Sequence, residues 1–128
     1  MRFYIGSGMK NHDLVDAYAK RLKESGWEQT YCWTKCIGMD ATLDTLAEYA
    51  ERERKGVADA DVVIILLPAG RGAHIELGMA LALRKRVFLC AATEEEFGLD
   101  HTVSFYRLPG VVRLVGDCDE NVSRILLG

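Results

Sequence analysis

The stretch GAHIELGMALAL, Gly72 to Leu83, places a single carboxylate, Glu76, among residues that are otherwise almost all apolar: Ile75, Leu77, Met79, Ala80, Leu81, Ala82 and Leu83. A carboxylate removed from water costs free energy unless something holds it, so this Glu asks for a reason. Read as part of the first turn of a helix beginning near Ala73, Glu76 faces the positive end of the helix dipole, which favours its ionised form. An ionised carboxylate in a dry cleft can attack an anomeric carbon and form a glycosyl ester with the protein. The plainer alternative is a Glu that only complements the helix start, with its head in solvent; the apolar neighbours weigh against it. His74, two residues earlier, is either an acid or base or a side chain bonded to backbone. Gly78 lets the helix or a ligand pack close.

A second carboxylate belongs to the preceding helical stretch, where Leu46, Ala50, Glu53 and Val57 recur at helical spacing. Glu53 is either snorkelling at the edge of that apolar stripe or placed for use. Tyr4, inside the first strand, is either core with a bonded hydroxyl or a hydroxyl presented to a cleft. Two glycine-bearing turns follow strands: Gly6-Ser7-Gly8, and Gly70-Arg71-Gly72 after Pro68. Neither completes a dinucleotide fingerprint or a phosphate-binding P-loop. Each is by itself a tight turn. Such turns also expose backbone N–H groups that can approach a sugar, phosphate or base. Arg71 is either a solvated loop residue or a fork for a phosphate or carboxylate.

The elements that must position these groups alternate. Phe3 to Gly6 reads as a strand, followed by a helix with Asn11 or Asp13 as cap and Leu14, Val15, Tyr18, Ala19 and Leu22 as its apolar face, stopping at Gly26. Glu28 to Trp33 reads as a second strand, Lys35 to Met39 as a loop, and Asp40 or Thr42 to Ala58 as a long helix. Val62 to Leu67, a run of Val, Ile and Leu, suits a central parallel strand covered on both faces. After the Glu76 helix come a strand at Arg86 to Ala91, an acidic loop at Glu94 to Asp100, a short extended piece at Val103 to Leu108, a strand at Val111 to Val115 and a closing helix at Glu120 to Leu127. This alternation predicts one α/β domain over residues 1–128, a doubly wound, parallel, five-stranded sheet of flavodoxin-like size with helices on both faces. Ligands of such folds sit outside the carboxyl ends of the strands, where both glycine turns would meet Glu76.

Composition narrows the partners. With 128 residues, formal net charge −3 and no basic block beyond short, interleaved runs such as Arg84 to Arg86, neither a nucleic acid polymer nor a membrane surface is expected. No apolar run reaches the roughly 18–20 residues of a membrane span. MRFYIG shows no signal-peptide pattern, which makes the cytoplasm the expected compartment. Cys32 and Cys36 stand four apart without a second pair or a suitable His, so buried reduced thiols are expected rather than a metal site. No cofactor is implied.

The segments FYIGSG (Phe3 to Gly8), ADVVIILLP (Ala60 to Pro68) and GAHIELGMALALRKRVFL (Gly72 to Leu89) resemble the nucleoside 2-deoxyribosyltransferase family and the related deoxynucleoside 5′-monophosphate N-glycosidases. The likeness covers roughly the first ninety residues, and its ELG-x-A core is the most specific part. It implies that Glu76 is the catalytic nucleophile, that Tyr4 helps hold the sugar and the nucleophile, and that Glu53 stands where the family carries an Asp eight residues before the Asp that opens the third strand. It also implies a small-molecule nucleoside or nucleotide as substrate and a homo-oligomer; the candidate substrate contacts, from the residues themselves, are Gly6, Ser7, Gly8, Pro68, Gly70, Arg71, Gly72 and His74. The loop PAGRGAHI departs from the family: it lacks the Asp of the transferases and the phosphate-binding Ser of the N-glycosidases. The expected activity is therefore cleavage or exchange of an N-glycosidic bond, with hydrolysis of 5′-monophosphates or non-catalytic nucleotide sensing as the alternatives.

Overall fold

The protein is described by a computed structural model covering residues 1–39 and 41–128. Its centre is β3 (Val62–Leu66), buried at every residue. On one side lie β1 (Arg2–Ser7) and, outside it, β2 (Glu28–Gln29). On the other lie β4 (Arg86–Ala91) and β5 (Val111–Val115). All five strands are parallel, in the order β2-β1-β3-β4-β5, which is the flavodoxin-like arrangement.

Side chains alternate across each strand, and this divides the core in two. Phe3, Ile5, Val62, Ile64, Leu66, Phe88 and Cys90 meet α1 (His12–Glu24) and α4 (Cys118–Leu127) on one face. Tyr4, Val63, Ile65, Val87 and Leu89 meet α2 (Leu43–Asp59) and α3 (Arg71–Ala82) on the other. Strand parity therefore puts Tyr4 on the face from which both candidate carboxylates approach. Thr42 caps α2 in a box with Thr45; the alternative start at Asp40 lies outside the described residues. Asp117 caps α4 and pairs with Glu120, so that helix starts two residues before the expected Glu120.

Two expectations give way. The second strand does not run to Trp33: its pairing to β1 ends at Gln29. Beyond that point β1 finds other partners, since Thr30 N donates to Phe3 O at 2.9 Å and the Trp33 indole N–H donates to Ile5 O at 2.7 Å. A side chain replaces a backbone rung, and the chain is free to turn away as a 3₁₀ turn, Trp33–Cys36. The extended piece expected at Val103 to Leu108 is likewise a 3₁₀ turn, Ser104–Arg107, matched by another at Glu94–Phe97 in the acidic stretch. Tyr106 and Phe97 project from these turns and pack edge to face, 6.3 Å apart, on the α2/α3 side of the core. Burying these two rings fixes both turns.

Among the described residues no helix is long and apolar enough to cross a membrane, and no group of three or more His, Cys, Asp or Glu is placed to hold a metal ion.

Candidate active site

Strand β1 carries Tyr4 beneath α3, and the Tyr4 hydroxyl donates to Glu76 Oε2 at 2.7 Å. Both residues are buried, Tyr4 completely and Glu76 at 7 % exposure. The carboxyl is admitted by a missing side chain two residues along the same strand: a Cβ on Gly6 would lie 2.6 Å from Glu76 Oε1. Glu76 does not occupy the first helical turn. Gly70 is extended and acts as N-cap, so α3 begins at Arg71 and its first turn holds no acid. The dipole's support fades beyond that turn. Burial then dominates and pushes the Glu76 carboxyl up to about 7, against the lowering effect of the Tyr4 hydrogen bond and with a further rise from the charge of Glu53. The expected dipole-held anion is in fact a carboxyl poised near neutrality. The Tyr4 phenol is raised far above its ordinary value, by burial first and by Glu76 next, and stays a hydrogen-bond donor.

Glu76 lines a cavity of about 450 Å³ beyond the carboxyl ends of β1 and β3. Ser7 and Gly8 border it from one turn, and Gly70, Arg71, Gly72 and Ala73 from the other. Ser7 also ties the turns together, its hydroxyl donating to Leu66 O at 2.8 Å and accepting from Asn11 Nδ2 at 3.0 Å. Asn11 donates again to Pro68 O at 3.1 Å. Pro68 thus braces the rim without lining the cavity. Glu53 reaches the same cavity from α2, half-buried, and burial raises its carboxyl as well. Two carboxyls with raised pKa values therefore line one concave site, and a buried phenol holds one of them from behind. Such a cluster is suited to nucleophilic attack paired with proton transfer.

The fold has a solved counterpart. The CMP N-glycosidase BcmB of Clostridium botulinum is similar over 100 % of both chains, with a TM-score of 0.65 and 17 % identity. At that identity the likeness establishes the shared architecture. No protein-family model matches the chain, and no curated protein matches it in sequence.

The opposite wall of the cavity was not singled out from the sequence. It consists of Tyr31, Trp33, the segment Cys36 to Met39, and Leu46 and Tyr49 of α2. The available signal was the pair Tyr31 and Trp33, two apart at the end of an edge segment. Their reading as ordinary strand residues concealed it. His74 corrects the expectation in the other direction, because it does not line the cavity. Its Nδ1 lies 2.8 Å from Gly70 O and its Nε2 lies 2.6 Å from the Tyr106 hydroxyl. A carbonyl only accepts, so Nδ1 carries the proton and Nε2 accepts from Tyr106. His74 fastens the start of α3 to the 104–107 turn, because the helix period carries it off the Glu76 side.

Proposed function

We propose that this protein breaks the N-glycosidic bond of a nucleoside or nucleotide, with Glu76 as nucleophile. The observation that carries the reading is the 2.7 Å bond from buried Tyr4 to Glu76, which with Glu53 lines one cavity. Tyr4 holds one carboxylate oxygen and leaves the other to attack C1′. As the C1′–N bond breaks, its electron pair passes to the base, which takes a proton from Glu53. The resulting glycosyl ester is opened by water, whose proton returns to Glu53, or by a second base in a transfer reaction. Burial by itself favours the proton on Glu76. Positive charge developing at C1′ stabilises the adjacent carboxylate and leaves the proton to Glu53.

A nucleotide is favoured over a free nucleoside by Arg71, which borders the cavity at the start of a helix with no side-chain cap. Unclaimed helix N–H groups beside a guanidinium suit a 5′-phosphate. The likeness in fold to a CMP N-glycosidase supports the same choice. We further propose that the chain self-associates, since α2 and α3 leave Leu43, Leu46 and Ile75 more than half exposed. One observation favours a second reading, non-catalytic nucleotide binding: the loop Pro68 to Gly72 carries no carboxylate.

The test is base release followed by chromatography, with nucleosides and their 5′-monophosphates, with and without an acceptor base. Release that vanishes in Glu76→Ala is the expected result, and its dependence on acceptor separates transfer from hydrolysis. Arg71→Ala should weaken the 5′-monophosphates alone. Tight binding without release from any substrate would move the assignment to the second reading.

A further inference from the structure

Helix α2, which brings Glu53 to the cavity, is anchored narrowly. Its buried residues are Gly56 and Val57. Contact at Gly56 is unusually close: a Cβ there would lie 2.9 Å from Tyr31 Cβ, 2.9 Å from Tyr4 Cδ2 and 3.1 Å from Tyr4 Cε2. The ring that bonds Glu76 thus packs directly on the backbone of α2. The same residue is tied down through its carbonyl, which accepts from Thr30 Oγ1 at 2.7 Å, while Thr30 N donates to Phe3 O beside Tyr4. Glu53 lies three residues before Gly56, about one turn away on the same side of the helix. A glycine inside a helix costs about 1 kcal/mol relative to alanine. Close approach to Tyr4 is a reason to carry that cost.

We propose that Gly56 is a positioning residue whose missing side chain seats α2 on the Tyr4 ring and so sets Glu53 against Glu76 across the cavity. Its catalytic meaning rests on the glycosidic reading above; its geometric meaning does not. An alanine at 56 meets a tyrosine ring that is wholly buried, while most of α2 is exposed, so the helix is the part that yields. Glu76 is faced by Tyr4 from β1 and acted on by the charge of Glu53 from α2, while Arg71 lines the same cavity from the start of α3. Outward movement of α2 changes the Glu53 member of that set: it weakens the repulsion between the carboxyls and withdraws the proton donor.

The experiment uses the full chain as wild type, Gly56→Ala and Thr30→Val, with two readouts. The first is the carboxyl ¹³C titration of Glu76 without ligand, which should move down by about half a pH unit in Gly56→Ala and by less in Thr30→Val. The second compares a natural base with a nitrophenolate that leaves without a proton, both on the same sugar. For the natural base kcat should fall roughly 10- to 100-fold at nearly constant KM, whereas the nitrophenolate should be largely spared. An unmoved Glu76 titration in folded Gly56→Ala, or equal losses on both leaving groups, overturns the proposal. If Gly56→Ala fails to fold, Thr30→Val must show the downward shift, and its absence has the same force. Should the wild type release no base at all, the glycosidic reading fails while the titration still decides the role of Gly56.

Discussion

Glu76 is held in a state that opposes stability. Its folded pKa, about 7, lies above the ordinary 4.5 because burial disfavours the charge. Between those values the folded chain binds more protons than the unfolded one, so stability falls as pH rises from about 4.5 to about 7 and is flat above. Glu76→Gln keeps an acceptor for Tyr4 and removes the charge. It should raise stability by about 1–3 kcal/mol at pH 8 and by much less at pH 5, measured by urea unfolding at both. Equal gains at the two pH values would contradict burial as the cause. Under the proposed glycosidic function the same pair of carboxyls would shape activity. Only the singly protonated pair offers both a nucleophile and an acid, so kcat/KM should be bell-shaped with its basic limb near 7. Glu53→Gln should abolish that limb for a leaving group that needs no proton, leaving activity that rises with pH to a plateau. At this scale the sequence exposed the anomaly, a lone carboxylate in an apolar helix. It did not expose the ionisation state, because that depends on where the helix starts and on what covers it.

The element that departs most from expectation is β2, and Trp33 is the reason. By donating to Ile5 O at 2.7 Å, its indole satisfies a carbonyl that a longer strand would have paired, and the backbone then turns to form one wall of the cavity. Trp33→Phe leaves that carbonyl without its partner. A cost of about 1–3 kcal/mol is expected in urea unfolding, together with weaker binding of any ligand in the cavity. A variant of unchanged stability would show that the indole bond does not hold this wall. Apolar, β-branched-rich runs made the inner strands readable, since β1, β3 and β4 are each paired on both sides. At an edge, half of the backbone pairing is optional, and a side chain two or three residues further on can end it.

The whole molecule places Tyr4, Glu53 and Glu76 by topology. Parallel order β2-β1-β3 brings the ends of β1 and β3 side by side, and strand parity turns Tyr4 toward α2 and α3. The same two helices carry three of the exposed aliphatic side chains, Leu43, Leu46 and Ile75. Leu43 is 87 % and Ile75 is 65 % exposed. If a second copy covers them, each side chain contributes about 1.5–3 kcal/mol on burial. Sedimentation should therefore show a wild-type species larger than a monomer, shifted toward monomer by Leu43→Glu combined with Ile75→Glu. A wild-type monomer at high concentration would sink the self-association proposal.

The sequence by itself determined the α/β class, the central strand, the order of helices and strands, and the singularity of Glu76, because all of these follow from local hydrophobic periodicity and from one charge out of place. The family resemblance pointed to Tyr4 and Glu53 beside Glu76, but only tertiary structure decided the Tyr4–Glu76 bond itself, the room that Gly6 and Gly56 make for it, and the absence of His74 from the cavity. These are contacts between residues as far as 72 positions apart along the chain, as with Tyr4 and Glu76. No local pattern encodes them, since they depend on how closely separate elements approach and on which side each presents.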